Sequence, residues 1–249
     1  MIKLSKRMEA VASMVTPGYV LCDVGTDHGY IPIYLVQSGK NPSALAMDLR
    51  EGPLSRAEEN IKGYGLEDKI QTRISDGIEA VEIGEAESVI IAGMGGELVL
   101  HILKAYPQKM RSFKELILQP QSDVDKVRRY LRENNYKIVD EDMIFEDGKY
   151  YPMFRVLPID CREPWGKLKE NARIVCDLYG PLLLRNGNPT LRKYLVKENK
   201  NLRLIRSNLE KQQETDSIAI RIKEVEKQLS YNEAAYSIMG EIINAGISD

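Results

Sequence analysis

Between Val20 and Pro32 the chain reads Val20-Leu21-Cys22-Asp23-Val24-Gly25-Thr26-Asp27-His28-Gly29-Tyr30-Ile31-Pro32, an apolar run closed by an acid, a glycine-punctuated turn and a helix start. Asp23 at a strand end, with Gly25 and Gly29 in the turn, lets a nucleoside ligand lie against backbone. A helix after Gly29 would aim its free N–H groups and positive dipole end at that ligand. The dinucleotide pattern Gly-x-Gly-x-x-Gly is missing, and Asp27 stands where its middle glycine would be. A carboxylate there repels a pyrophosphate and suits the ammonium or sulfonium of S-adenosylmethionine. The competing role for Asp27 is an Asx-turn residue.

Further acids and glycines recur where later strands end. Asp48, followed by Leu49, lies roughly 20 residues past the glycine turn, where an acid in this topology accepts both ribose hydroxyls of an adenosine. Asp76-Gly77 follows a third apolar run, and Ala92-Gly93-Met94-Gly95-Gly96 follows a fourth. Three such loops in register converge on one cleft at the carboxyl edge of a sheet. Gln119-Pro120-Gln121 after the fifth run reaches the same edge, where amides can bond a base edge or Pro120 can simply stop the strand. Lys6 and Arg7 sit on a short helix capped by Ser5, placed either to contact RNA phosphate or a cofactor carboxylate or to lie in solvent.

The elements that must hold these residues follow from periodicity. Tyr19–Asp23, Ala44–Asp48, Ile70–Ile74, Ser88–Ala92 and Glu115–Leu118 read as strands, with helices between them. Leu54, Ala57 and Ile61 before Gly63 mark one helix, and Ser122-x-x-Asp125 predicts a capping box opening another over residues 124–134. Two strand-like runs, 136–145 and 150–157, flank Asp147-Gly148 and predict a hairpin. The expected fold is α/β: a doubly wound sheet of the Rossmann-like class I methyltransferase kind, finished by an antiparallel hairpin. Dehydrogenases usually continue with parallel strands instead.

From about Pro164 the strand signal ends. Leu191, Leu195, Leu202, Ile205 and Leu209 form one helical stripe and Ile218, Ile222, Val225 and Leu229 a second, predicting two antiparallel helices paired as a short coiled coil or by ordinary packing. Two domains result, over residues 1–160 and 161–249. Of 35 basic and 37 acidic side chains, the first segment holds 20 and 25 and the second 15 and 12. Arg192, Lys193, Lys197 and Lys200 lie within the most basic stretch, which also takes in Arg162 and Lys167. Such a surface binds phosphate, or is a solvated helix face.

Composition removes other classes. In 249 residues that are 43% hydrophobic there is enough for a packed core, no apolar run long enough to span a bilayer, and no signal-peptide pattern at the N-terminus, which predicts a cytoplasmic protein. Cys22, Cys161 and Cys176 are far apart, and His28 and His101 are the two histidines, so neither a disulfide framework nor a metal site is expected.

Leu4-Ser5-Lys6-Arg7, the segment Asp23–Pro32, Ile91-Ala92-Gly93-Met94-Gly95-Gly96-Glu97-Leu98 and Leu118-Gln119-Pro120-Gln121 closely resemble the TrmK-type tRNA adenine-N1 methyltransferases. The resemblance covers nearly the whole chain, the C-terminal helical region included. It implies transfer of a methyl group from S-adenosylmethionine to N1 of adenine 22 in tRNA. Adenine N1 has a lone pair and needs no prior deprotonation, so alignment and electrostatics can carry the rate. Gly93-Met94-Gly95-Gly96 replaces the Asn/Asp-Pro-Pro-Tyr/Phe motif of enzymes that methylate exocyclic amines, leaving the loop backbone to bind the base.

Asp27 is the first candidate for a charge-stabilising or proton-accepting group, and His28 the second, with backbone bonding in the turn as its alternative. The expected cofactor contacts are Asp23, Gly25, Asp27, Gly29, Asp48, Leu49, Asp76, Gly77, Ala92, Gly93 and Met94. The expected tRNA contacts are Lys6, Arg7, Gly95, Gly96, Gln119, Pro120, Gln121, Arg192, Lys193, Lys197 and Lys200. Two other functions remain open at this point: a methyltransferase of the same fold acting on another RNA or a small molecule, and a non-catalytic RNA-binding or scaffold protein.

Overall fold

The computed structural model describes residues 1–159, 168–213 and 215–245, the side chains of 240–245 excepted. The chain divides into two compact units, Met1–Glu163 and Pro164–Asp249. The boundary expected between residues 160 and 161, together with Cys161, Arg162 and Lys167, lies outside the described residues.

The first unit is a seven-stranded sheet. Its strands are β1 (Leu21–Val24), β2 (Ala44–Asp48), β3 (Ile70–Ile74), β4 (Ser88–Met94), β5 (Glu115–Pro120), β6 (Lys137–Glu146) and β7 (Lys149–Leu157), in the order β3-β2-β1-β4-β5-β7-β6. The first five run parallel; β7 pairs antiparallel with both β5 and β6. β1, β2 and β5 are buried at every residue, as parallel strands covered on both faces must be. Asp23 and Asp48 break otherwise apolar runs, so their carboxylates are there for something other than packing. Chain order reverses between β1 and β4, and that switch point opens a crevice at the carboxyl ends.

Among the described residues six helices accompany this sheet: α1 (Lys6–Met14), α2 (Tyr30–Gln37), α3 (Glu51–Gly63), α4 (Gly96–Ala105), α5 (Pro107–Ser112) and α6 (Val124–Glu133). Ser5 caps α1 by accepting from Met8 N, as its sequence position predicts. α3 buries Leu54, Ala57 and Ile61, the expected stripe. The capping box at Ser122 does not form. Asp123, left-handed at φ 49°, is the N-cap of α6, and Ser122 Oγ instead accepts from Gly96 N at 3.2 Å.

The second unit contains α7 (Glu170–Tyr179), α8 (Pro181–Arg185), α9 (Pro189–Glu210) and α10 (Asp216–Ala245). α9 and α10 run antiparallel: Asn232 Nδ2 donates to Leu195 O at 3.0 Å, while Arg206 reaches Glu226 at 3.3 Å. Leu191, Leu195, Leu202, Val225 and Leu229 are buried along the expected stripes. Ile205 departs from expectation, 40% exposed at the edge of the seam. A half-buried polar network fixes the register, since Glu198 accepts from Tyr179 Oη, Tyr194 Oη and Asn232 Nδ2 at 2.8–2.9 Å. Cys22 and Cys176 are buried.

Candidate active site

Two adjoining lobes of one cleft lie at the switch point. The larger, about 370 Å³, is lined by Asp48, Leu49, Asp76, Gly77, Met94 and their neighbours. The smaller, about 190 Å³, takes in Arg7, Asp23, Thr26, His28, Tyr30 and the turn between them. Gly25, Asp27, Ala92 and Gly93 line both and so join them.

Backbone geometry builds the junction. Gly93 (φ +79°) is the extra residue of a β-bulge, for Ala92 pairs with Gln119 and Met94 with Pro120. The bulge points the Gly93 N–H at the side chain of Gln119, whose Oε1 accepts it at 3.1 Å and also accepts Arg7 Nη1 at 2.9 Å. Gly25 (φ +71°) turns the chain out of β1, and a methyl placed on it would fall 2.2 Å from Met94 Cε. Backbone there can be approached closely only because no side chain is in the way.

Four acids face this cleft in different states. Asp23 is buried and accepts from Thr26 Oγ1 at 2.7 Å. Burial pushes its carboxyl up to about 7, Asp48 adds to the rise, and the Thr26 hydroxyl opposes it. A carboxylate so placed gains from a cationic ligand that restores its charge. Asp48, at the end of β2, is buried and accepts from Arg50 N at 3.0 Å. Asp76 follows β3 in the same lobe. Asp27 is the one residue here held left-handed without being glycine (φ 49°), and its 55% exposed side chain pairs with Arg56 at 2.8 Å and reaches His28 Nε2 at 3.5 Å.

Most of the expected cofactor contacts therefore meet in one place. Gly29 sits one step back, as the left-handed N-cap of α2. Leu49, although a leucine, is 62% exposed, its apolar surface open at the cleft. The expected tRNA contacts separate. Arg7 reaches the cleft, whereas Lys6 is exposed on the first turn of α1, its amide bound by Glu146. Gly95 and Gly96 start α4, and Pro120 ends β5 in the interior. Gln119 is fully buried and serves Gly93 and Arg7 rather than standing open to a base, while Gln121 is exposed beside the Gly93 loop. Arg192, Lys193, Lys197 and Lys200 are exposed on α9 in the other unit.

Arg56 and Tyr30 complete the site without having been singled out as ligands. Tyr30 lies inside the quoted motif, and its ring stacks on His28. Arg56 is 29 residues from Asp27 along the chain, on α3, and no local pattern marks it. Among the described residues no group of His, Cys, Asp and Glu could hold a metal ion.

A lobe rimmed by the carboxylates of Asp48 and Asp76, joined to a lobe floored by the buried Asp23, has the chemistry of a methyltransferase cleft. The family model described as a methyltransferase domain matches residues 4–154. Over 245 residues the chain is 31% identical to the tRNA (adenine(22)-N(1))-methyltransferase of Bacillus subtilis (strain 168), covering 98% of this chain and 99% of that one. The crystal structure of the B. subtilis M1A22 tRNA methyltransferase TrmK superposes with a TM-score of 0.83 at 30% identity, covering 95% of this chain and 100% of that one. Streptococcus pneumoniae Sp1610 in complex with S-adenosyl-L-methionine gives 0.81 at 31% identity, over 94% and 100%. The chain belongs to the tRNA (adenine(22)-N(1))-methyltransferase family.

Proposed function

We propose that this protein methylates N1 of adenine 22 in tRNA, with S-adenosylmethionine as the methyl donor. The observation that carries the reading is the 31% identity to the B. subtilis enzyme over 98% of the chain, which takes in both units and every cleft loop. Bound in the cleft, S-adenosylmethionine supplies an electrophilic methyl group, whose transfer leaves sulfur neutral and the adenine cationic.

This chain's residues have distinct tasks. Asp48 and Asp76 hold the nucleoside end, and Asp23, with Thr26, holds the cationic amino-acid end. The Gly25 and Gly93 backbones let the ligand pass close between the lobes, and the Arg7–Gln119 bond keeps the Gly93 bulge in place. Asp27 offers negative charge to the base as it becomes cationic. Exposed basic residues on α9, Arg192, Lys193, Lys197 and Lys200, bind tRNA phosphate. With tRNA as substrate the enzyme works in the cytoplasm, and no helix among the described residues is long and apolar enough to cross a membrane.

The test is incubation with isotopically labelled S-adenosylmethionine and an unmodified tRNA transcript, followed by nucleotide mapping by mass spectrometry. Label in 1-methyladenosine at position 22 is the expected result. Label at another nucleotide, or none, overturns the reading.

A further inference from the structure

The turn between β1 and α2 carries two rings in an arrangement that neither element requires. His28 and Tyr30 stack with centroids 5.1 Å apart and ring planes 12° apart. Residues two apart on a helix do not face each other. Here Gly29, left-handed at φ 71°, folds the two side chains face to face. The arrangement is anchored from outside the turn, because Asn60 Nδ2 on α3 donates to His28 O at 2.9 Å. Asp27, itself held by Arg56, reaches the imidazole edge at 3.5 Å. Both rings line the smaller lobe with Asp23, Thr26 and Gly93, and 38% of the His28 side chain stays exposed.

We infer that the His28–Tyr30 stack is the platform on which the adenine ring lies while it is methylated, His28 touching the base and Tyr30 backing it as a positioning residue. The inference rests on the function proposed above. Adenine N1 lies on the Watson–Crick edge, so a paired or stacked base must leave its neighbours before it can react, and an aromatic face replaces the stacking it loses. Methylation also makes the ring cationic. Aromatic faces attract cations, so the platform holds the ring more tightly as charge develops than in the ground state, which accelerates the step rather than merely binding substrate. The task asks of position 28 a flat aromatic surface and no proton transfer.

That requirement separates the platform from a base or a purely structural role. Steady-state kinetics on unmodified tRNA transcript, with the dissociation constant for S-adenosylmethionine measured on the same samples, would compare wild type with His28→Phe, His28→Leu, Tyr30→Phe and Tyr30→Leu. The phenylalanine variants are expected to keep kcat/KM within about threefold of wild type, and the leucine variants to lose about 10- to 100-fold, the scale of one lost base–aromatic stack. Cofactor affinity should stay within about twofold throughout, which also shows that each variant is folded. His28→Phe falling as far as His28→Leu, or either leucine variant retaining wild-type kcat/KM, overturns the platform. So does a loss of cofactor affinity that matches the loss of activity. A wild-type protein that binds S-adenosylmethionine yet modifies no tRNA overturns the proposed function itself, which distinguishes the two failures.

Discussion

Arg7 Nη1 donates a 2.9 Å hydrogen bond to Gln119 Oε1, and through that one oxygen a helix outside the sheet is tied to the bulge at the mouth of the cleft. Gln119→Leu keeps the volume and removes the acceptor, stranding the Gly93 N–H and the guanidinium together. Both donors border the open cleft rather than the core, so the loss should be about 1 kcal/mol, the low end for an unpartnered donor. Thermal unfolding should show that loss, and calorimetry should show weaker binding of S-adenosylmethionine. An unchanged melting temperature with unchanged affinity would mean that the bulge holds itself.

Asp27 presents a carboxylate from a left-handed backbone that glycine would adopt more freely. In Asp27→Gly the relief of backbone strain offsets the loss of a largely exposed ion pair with Arg56, so stability should stay within about 1 kcal/mol of wild type. Methyl transfer should fall at least about tenfold if this charge stabilises the cationic base. Full activity in this variant would leave Asp27 as a turn residue alone.

With Asp23 holding the cofactor as proposed, its raised carboxyl should give cofactor binding a pH dependence. Because the folded pKa is raised to about 7, the group favours the ligand-free fold most at pH values below the ordinary carboxylate range, and that contribution is lost as pH rises through 7. A cationic ligand needs the ionised form. Its affinity should therefore level off above pH 7 and weaken by up to about tenfold per pH unit below it. Calorimetry from pH 5.5 to 8 should show that slope in wild type and its absence in Asp23→Asn. An equal slope in both would place the titration elsewhere.

Reversing Arg192, Lys193, Lys197 and Lys200 to glutamate together should weaken tRNA binding steeply and flatten its salt dependence. Each phosphate contact contributes roughly 0.7–0.9 to the slope of log K against log salt, so four contacts amount to about 3. Cofactor affinity should not move, since these residues lie in the helical unit. An unaltered salt slope would remove α9 from the tRNA interface.

The sheet was legible because each parallel strand is a short apolar run bounded by turn residues, and its exceptions, Asp23 and Asp48, are themselves the signal of the cleft. Strand ends were less legible where a side chain competes for the backbone. β1 starts at Leu21 rather than Tyr19, for Glu87 takes the Val20 N–H at 3.0 Å. Ser122 has the spacing of a helix cap, yet its oxygen is used by Gly96, distant in sequence. The same limit hid Arg56 beside Asp27 and the inward turn of Gln119, which depends on a bulge in the neighbouring strand. α5 and α8 are too short for a periodic pattern, and both begin at a proline.

That the carboxyl rim of the sheet binds an adenosine-containing methyl donor is tested most directly by calorimetry with S-adenosylmethionine on wild type and Asp48→Ala. In the proposed placement Asp48, which is buried, accepts from the ribose hydroxyls, and each such charge-assisted hydrogen bond contributes about 1.5–3 kcal/mol. Wild-type protein should bind the donor, and Asp48→Ala should bind it about 10- to 100-fold more weakly. Equal affinity in the two proteins would contradict the placement of the cofactor in this cleft.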